Sequence, residues 1–293
     1  MKRVVVLGAT SMLGREVERQ LRIGGIEVIR AGRSEDSDVV IDLGSGKPPV
    51  FSAQGVADSL IHCAASFGGD HHAGIRLNIV VNVGGAADVL EIAASMNIRH
   101  IVYAGSLFSD SGVTPGEALN AYGFSKQEAE RALEWGMQRE GKSFCSLRLP
   151  QLWDTDGDCC RHQPWFGRII AYASRGLTLN MPAPGGKRNF MHVVDAARLL
   201  VLAASNRLTG VHLATHPTDI DMHELALAAY RIFGCGGDVI IDSRKVPFKQ
   251  FVIPHMPDTF EALSYMPQIS PTEGIELIRD AGTASRFGPV DVQ

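Results

Sequence analysis

The first half of the chain alternates short runs of β-branched residues with stretches whose apolar side chains recur every three or four positions. That alternation is the pattern of βαβ units wound around a parallel sheet. Arg3–Leu7 reads as a first strand, and the helix after it lines one face with Leu13, Val17 and Leu21. Residues 27–29, 39–43 and 59–64 supply the second, third and fourth strands. An alanine-rich helix covers 79–96, residues 99–104 make a fifth strand, and Ser143–Leu149 a sixth. Between the last two lies "LNAYGFSKQEAER", starting at Leu119, which opens a helix running to about residue 140. On it Ala129, Ala132 and Leu133 form an apolar side, while Lys126, Gln127, Glu130 and Arg131 form a polar one. Six strands with intervening helices predict an α/β fold, a doubly wound parallel sheet with ligands at the carboxyl ends of its strands.

Beyond Pro150 the texture changes, because prolines from Pro164 to Pro271 break the chain into shorter pieces. This predicts a smaller, loop-rich region over 151–293, interleaved with the first, since a helix over 193–205 is rich enough in Ala and Leu to pack on the main sheet. With 45% hydrophobic and 20% charged residues, 293 residues suffice for a sizeable core. A net charge of −4 without clustered Lys or Arg gives no surface for nucleic acid. No apolar run approaches a membrane span, and the N-terminal one is interrupted at Gly8, too early for a signal peptide. Cys63, Cys145, Cys159, Cys160 and Cys235 are odd in number and without framework spacing, which fits a reducing cytoplasm. Adjacent Cys159 and Cys160 do not converge readily on one tetrahedral ion, so no metal is expected.

Candidate chemistry starts at "GATSMLG", Gly8 to Gly14, between the first strand and first helix. Glycines there let backbone amides reach a pyrophosphate at the positive end of the helix. The second strand ends in Gly32-Arg33-Ser34, where a carboxylate for a ribose 2′-hydroxyl would otherwise stand. Arg33 and Ser34, with help from Arg30, suit a 2′-phosphate, so NADP is the expected cofactor and NAD the alternative. Tyr122 and Lys126 share one helix face four residues apart. Spacing alone leaves that pair as either surface decoration or a phenol held beside a cation.

The motifs in their order resemble the extended short-chain dehydrogenase/reductase family, the nucleotide-sugar epimerase, dehydratase and reductase group. "GATSMLG" is similar to its G-x-x-G-x-x-G with Ser11 for the middle glycine, and "HCAAS" from His62 to its H-x-A-A. Asp42-Leu43 resembles the adenine-side Asp after the third strand, and Asn82-Val83-x-Gly85 the N-V-x-G helix start. Gly105-Ser106, Tyr122-x-x-x-Lys126 and "RNFMHVVDAA" from Arg188 follow in register.

The resemblance implies a dinucleotide-binding Rossmann domain over 1–150, with parts of 188–215 packed on it, and a substrate region over 151–293. It implies catalytic Ser106, Tyr122 and Lys126. Cofactor contacts are implied at Gly8, Thr10, Ser11, Met12, Leu13, Gly14, Arg33, Ser34, Asp42, Leu43, Cys63, Ala64, Ala65 and Asn82, besides Tyr122 and Lys126. Ser106, Gln151 and Arg188 are the implied substrate contacts, the last with the diphosphate. Lys126 beside the phenol, with a cationic nicotinamide, favours the phenolate and lowers the Tyr122 pKa. Ser106 stands closer to Tyr122 in sequence than is usual in the family, which leaves Ser109 and Ser111 as alternatives. Leu107-Phe108 after Ser106 carries no acid, which speaks against dehydration. The leading expectation is reduction of a 4-keto-deoxysugar nucleotide by NADPH, with Tyr122 as proton donor. The alternative is a nucleotide-sugar 4-epimerase with tightly bound NAD, and the reading from another class is a non-catalytic NADP-sensing regulator. A homodimer through the helices at 79–96 and 126–140 is expected. His71 and His72 read as solvated loop residues, His192 and Asp195 as structural ones.

Overall fold

The computed structural model describes residues 1–255 and 257–291. In chain order the elements begin with β1 (Arg3–Leu7), α1 (Met12–Ile23), β2 (Glu27–Gly32), β3 (Val39–Val40), β4 (Val50–Phe51) and β5 (Ser59–His62). There follow α2 (His72–Asn78), a π-helical turn over Ile79–Gly84, α3 (Gly85–Ser95), β6 (His100–Ser106), α4 (Ala121–Arg139) and β7 (Ser143–Leu149). Next come β8 (Gln151–Trp153), α5 (Pro164–Ser174), β9 (Leu179–Met181), β10 (Lys187–His192), α6 (Val193–Asn206) and β11 (Gly210–Leu213). The last are β12 (Asp219–Asp221), α7 (Met222–Phe233), β13 (Val239–Ile241), α8 (Pro257–Leu263) and α9 (Pro271–Asp280).

The chain divides into two compact units. The first joins Met1–Leu149 to Ala196–Ala214 and Met256–Met266, and the second holds Pro150–Asp195, Thr215–His255 and Pro267–Gln293.

In the first unit eight strands run in the order β11-β7-β6-β5-β1-β2-β3-β4. Every neighbouring pair is parallel except β3 with β4. The chain order reverses between β1 and β5, so the crevice of a doubly wound sheet opens at their carboxyl ends. Val4, Val5 and Val6 are fully buried, as a central strand covered on both faces requires. On one face Val5, Leu7 and Leu60 pack with Val89 and Ile92 of α3 and with Leu133 and Met137 of α4. Burying each such side chain stabilises the fold by roughly 1.5–3 kcal/mol.

Several boundaries differ from expectation. The edge strands β4 and β11 are additions, since two- and four-residue runs carry too little pattern to read. β2 runs on to Gly32. β3 stops at Val40 and β5 at His62, so Asp42, Leu43, Cys63 and Ala64 belong to connecting turns. The helix expected from residue 79 begins at His72, and His72–Ser95 is long and apolar enough to cross a membrane by length and composition. In this unit its Val89, Ile92 and Ala93 are core residues.

The second unit holds a three-stranded sheet, β12-β10-β8, and the two-stranded β13-β9. β10 runs parallel to β8 and antiparallel to β12. Trp153 is fully buried there, and a Cβ on Gly274 of α9 would stand 1.4 Å from its ring. Glycine at 274 is therefore what lets α9 lie against the indole.

Candidate active site

At the β1–α1 turn Gly8 has φ +83°, and a Cβ on it would stand 2.7 Å from the Ala64 amide nitrogen. A Cβ on Gly14 would come within 2.1 Å of the Gly8 carbonyl oxygen. Both glycines are thus required sterically, which brings the first turn of α1 against the loop after β5. Ser11 caps α1, its Oγ accepting from the Gly14 amide at 3.0 Å. The serine that replaces a glycine therefore builds the helix start. Leu13 is buried beneath the turn, so its backbone and not its side chain faces a ligand, whereas Thr10 is exposed. The positive end of α1, with its uncommitted first-turn amides, suits a pyrophosphate.

Beyond β2, Arg33 is exposed and Ser34 half-buried. Arg30 does not assist them: its guanidinium pairs with Glu18 at 3.3 Å and its amide donates to Asp38 at 2.8 Å. Asp42 is exposed, while Leu43 packs where a Cβ on Gly85 would meet it at 2.9 Å.

The loop after β5 is held by two asparagines one helical turn apart. Asn82 Oδ1 accepts from the Ser66 amide at 2.7 Å, and its Nδ2 donates to Ser66 O at 3.0 Å and Ser125 Oγ at 2.9 Å. Asn78 makes the same two-way contact with Gly68, at 2.7 Å each way. Asn82, expected as a cofactor contact, is fully engaged in bracing this loop and α4. Asn78 had the same i,i+4 signal in sequence and went unread. Asp70 in the loop accepts from the Ala121 amide at 2.7 Å, and His71 caps α2, its Nδ1 accepting from Gly74 at 3.1 Å.

α4 carries Tyr122 and Lys126. Asn120 caps it, and a Cβ on Gly123 would stand 2.0 Å from Phe108 O, so α4 rests directly on the turn after β6. That turn begins at Ser106, whose Oγ accepts from the Phe108 amide at 3.2 Å and which lies near enough to Tyr122 to act on its phenol. The structure thus brings Ser106 to the tyrosine, whereas the Ser109 hydroxyl is fully buried without a partner and Ser111 is exposed.

Lys126 departs from the expected polar side: it is 2% exposed, with Nζ donating to Ala104 O at 2.7 Å and lying 3.9 Å from the centroid of the Tyr103 ring. Burial lowers its pKa to about 7, opposed by Cys63 and Glu130. Desolvation raises the Tyr122 pKa, with the Ser106 hydrogen bond opposing it. The expected lowering by Lys126 is absent, because the ammonium is turned to the Ala104 carbonyl and the ring of Tyr103. Tyr122 is therefore a protonated donor in this state. Burial takes His62 down to about 3, with Lys126 acting in the same direction, and its Nδ1 has no hydrogen-bond partner.

In the second unit Arg188 is 9% exposed. One terminal nitrogen donates to Lys187 O and Lys249 O at 2.8 Å, and the guanidinium lies 4.4 Å from the Phe251 ring centroid. No carboxylate pairs with it among the described residues. Gln151 Nε2 donates to Gln163 Oε1 at 2.6 Å. Asp195 accepts from the Gln268 and Ile269 amides, the structural role expected of it.

A glycine cradle at the first βα turn and a serine–tyrosine–lysine constellation two strands along define a dinucleotide-dependent enzyme of the extended short-chain dehydrogenase/reductase class. The chain belongs to the NAD dependent epimerase/dehydratase family, whose family model matches residues 4–214. No curated protein sequence matches it. Among solved structures it is similar to the UDP-N-acetylglucosamine 4-epimerase from Bacillus cereus, with TM-score 0.76 and 20% identity over 96% of this chain and 99% of that one. The Thermus thermophilus UDP-glucose 4-epimerase in complex with NAD gives TM-score 0.69 and 19% identity over 95% and 98%. The UDP-N-acetylglucosamine 4-epimerase from Methanobrevibacter ruminantium, in complex with UDP-N-acetylmuramic acid, gives 0.75 and 16% over 95% and 97%. At these identities the likeness establishes the fold.

Proposed function

We propose that the chain is a nucleotide-sugar epimerase that inverts one hydroxyl-bearing carbon through a keto intermediate, with NAD retained between turnovers. The observation that carries this is buried Lys126 one turn along α4 from Tyr122, whose phenol stands near Ser106, one acid–base group with one oxygen holder. Family membership and the epimerases among similar folds support it over the reductase reading. Buried Leu107 and half-buried Phe108 after Ser106 supply no acid for water loss, which disfavours dehydration.

The residues present fit a dinucleotide. Gly8 and Gly14 let the β1–α1 turn close against Ala64 and on itself where any Cβ would clash, and the α1 start offers amides. The unpartnered buried His62 Nδ1 and the Lys126 ammonium mark the deeper part of that crevice. A bound nicotinamide would supply the hydride chemistry. Once its own proton has gone to solvent, Tyr122 Oη would take the proton from the sugar hydroxyl and give it back to the same oxygen after the carbon is re-reduced. Ser106 Oγ orients that oxygen, and buried Lys126, one turn along α4, supplies the cation of the site. Arg188, a buried guanidinium with no ion pair among the described residues, is the group of the second unit proposed to take the nucleotide diphosphate.

A second reading, reduction of a keto sugar by NADPH, is favoured by one observation, exposed Arg33 at the end of β2. One experiment separates the two. Purified protein is denatured and its released nucleotide identified by mass spectrometry, and UDP-glucose or UDP-N-acetylglucosamine is incubated with the native protein without added cofactor. Released NAD with interconversion of two sugars supports the epimerase. Its absence, with stoichiometric NADPH consumption on a 4-keto nucleotide sugar, replaces it with the reductase.

A further inference from the structure

Beneath the site lies a buried charge network outside the expected machinery. Glu130 follows Lys126 by one turn of α4 and is 3% exposed. Side chains four apart on a helix lie about 5–6 Å apart at their Cβ atoms. Ser146 Oγ donates to Glu130 Oε2 at 2.6 Å. Arg148 reaches both carboxylate oxygens, Nε at 3.2 Å and a terminal nitrogen at 2.7 Å. Its other terminal nitrogen stands 3.7 Å from Asp110. The charges thus alternate as Lys126, Glu130, Arg148 and Asp110.

The backbone accommodates this network at the catalytic strand itself. Gly105, between Ala104, which accepts from Lys126, and Ser106, pairs with Arg148 across β6 and β7. A Cβ on Gly105 would stand 2.4 Å from Ser146 Oγ. Absence of a side chain at 105 is what lets the Ser146 hydroxyl cross to Glu130. Three donors thus hold the Glu130 carboxylate one helical turn from Lys126.

We propose that Glu130, clamped by Ser146 and Arg148, is a positioning residue whose carboxylate holds buried Lys126 as an ammonium aimed at the Ala104 carbonyl beside Tyr122. The inference rests on the reading of Tyr122 and Lys126 as the reacting pair. Other groups also face the ammonium: Cys63 raises its pKa after burial has lowered it, and His62, itself neutral, sits on β5. Tyr103 presents its ring from β6. Glu130 is the carboxylate among the groups acting on Lys126.

The test is the titration of Lys126 in Glu130→Gln, which keeps the volume and hydrogen bonding of the side chain and removes its charge. The full chain is labelled with ¹³C-lysine, and the Lys126 Cε resonance is assigned by its loss in Lys126→Met. Wild type is expected to titrate near 7, and Glu130→Gln lower by on the order of 1–3 pH units. Mere loosening of the helix would hydrate the amine and move it up, towards the ordinary 10.5. An unmoved or raised midpoint in a folded Glu130→Gln protein overturns the proposal. If circular dichroism shows that this variant does not fold, Arg148→Gln is titrated instead. Removing the competing cation should move Lys126 upward, and no upward movement overturns the proposal equally. The titration is read without substrate, so its outcome is separate from failure of the epimerase reading, which shows as absence of sugar interconversion in wild type.

Discussion

Phe67 lies face to face with Tyr122, their ring centroids 4.9 Å apart and their planes inclined by 19°. The exposed Phe67 ring comes from the loop braced by Asn78 and Asn82, so the phenol is placed by its ring as well as by its hydroxyl. Tyr122→Phe keeps that stack and removes only the acid. Folding and cofactor retention should therefore survive, while kcat falls by on the order of 10²–10⁴. Steady-state interconversion of UDP-glucose, with circular dichroism as the control, checks this, and a variant within threefold or so of wild type would remove Tyr122 from the reaction.

Cofactor choice turns on Arg33. If NADPH is used, Arg33→Ala should weaken it against NADH by roughly 1.5–3 kcal/mol, the range of a charge-assisted hydrogen bond. If NAD is the resident cofactor, both affinities should be unchanged. Fluorescence titration of protein stripped of nucleotide reads the difference directly.

In the second unit Arg188→Ala should raise KM for a nucleotide sugar and leave dinucleotide binding intact. Calorimetry with UDP alone is the check: equal UDP affinity in variant and wild type would show that Arg188 only fastens the Lys249 carbonyl.

Acid should unfold the protein partly through His62. Its folded pKa, about 3, lies below the ordinary 6.5. Between those values the unfolded chain binds the extra proton, so stability falls as pH drops from 6.5 towards 3 and is unaffected above that window. His62→Gln should narrow the gap in Tm between neutral and mildly acidic buffer. A gap equal to that of wild type would assign the acid sensitivity elsewhere.

A homodimer through α3 and α4 remains the expected assembly. A Cβ on Gly136 would stand 2.3 Å from Leu90, so the two helices pack closely, and Trp135 beside that contact is 61% exposed. Trp135→Glu should convert a dimer to monomer in light scattering, and a wild type that is already monomeric would refute the expectation.

The features legible in the sequence are local. The strand–glycine–helix turn at Gly8–Gly14 and the Tyr122/Lys126 spacing are each fixed within a few residues. Legibility ends where the deciding partner lies far along the chain. Lys126 and Glu130 read as part of the polar side of α4, because nothing nearby in sequence announces Ser146 and Arg148. Arg30 read as an aid to Arg33, and Glu18 took it instead. The lowered tyrosine pKa was reasoned from proximity to a cation, whereas the direction of the Lys126 hydrogen bond decides where that charge acts.

The two asparagine clasps grip Ser66 and Gly68 through main-chain atoms alone. Such a grip fixes the path of the loop and ignores what its side chains are. Gly68 cannot take a Cβ, which would stand 2.3 Å from Gly74 O, and Asp70 holds the Ala121 amide, so the side chain free to change is that of Phe67, which meets the reacting phenol. Diversification of substrate choice in this protein has a natural address: position 67, on a loop held from behind, where one letter can change while the path of the main chain stays constant.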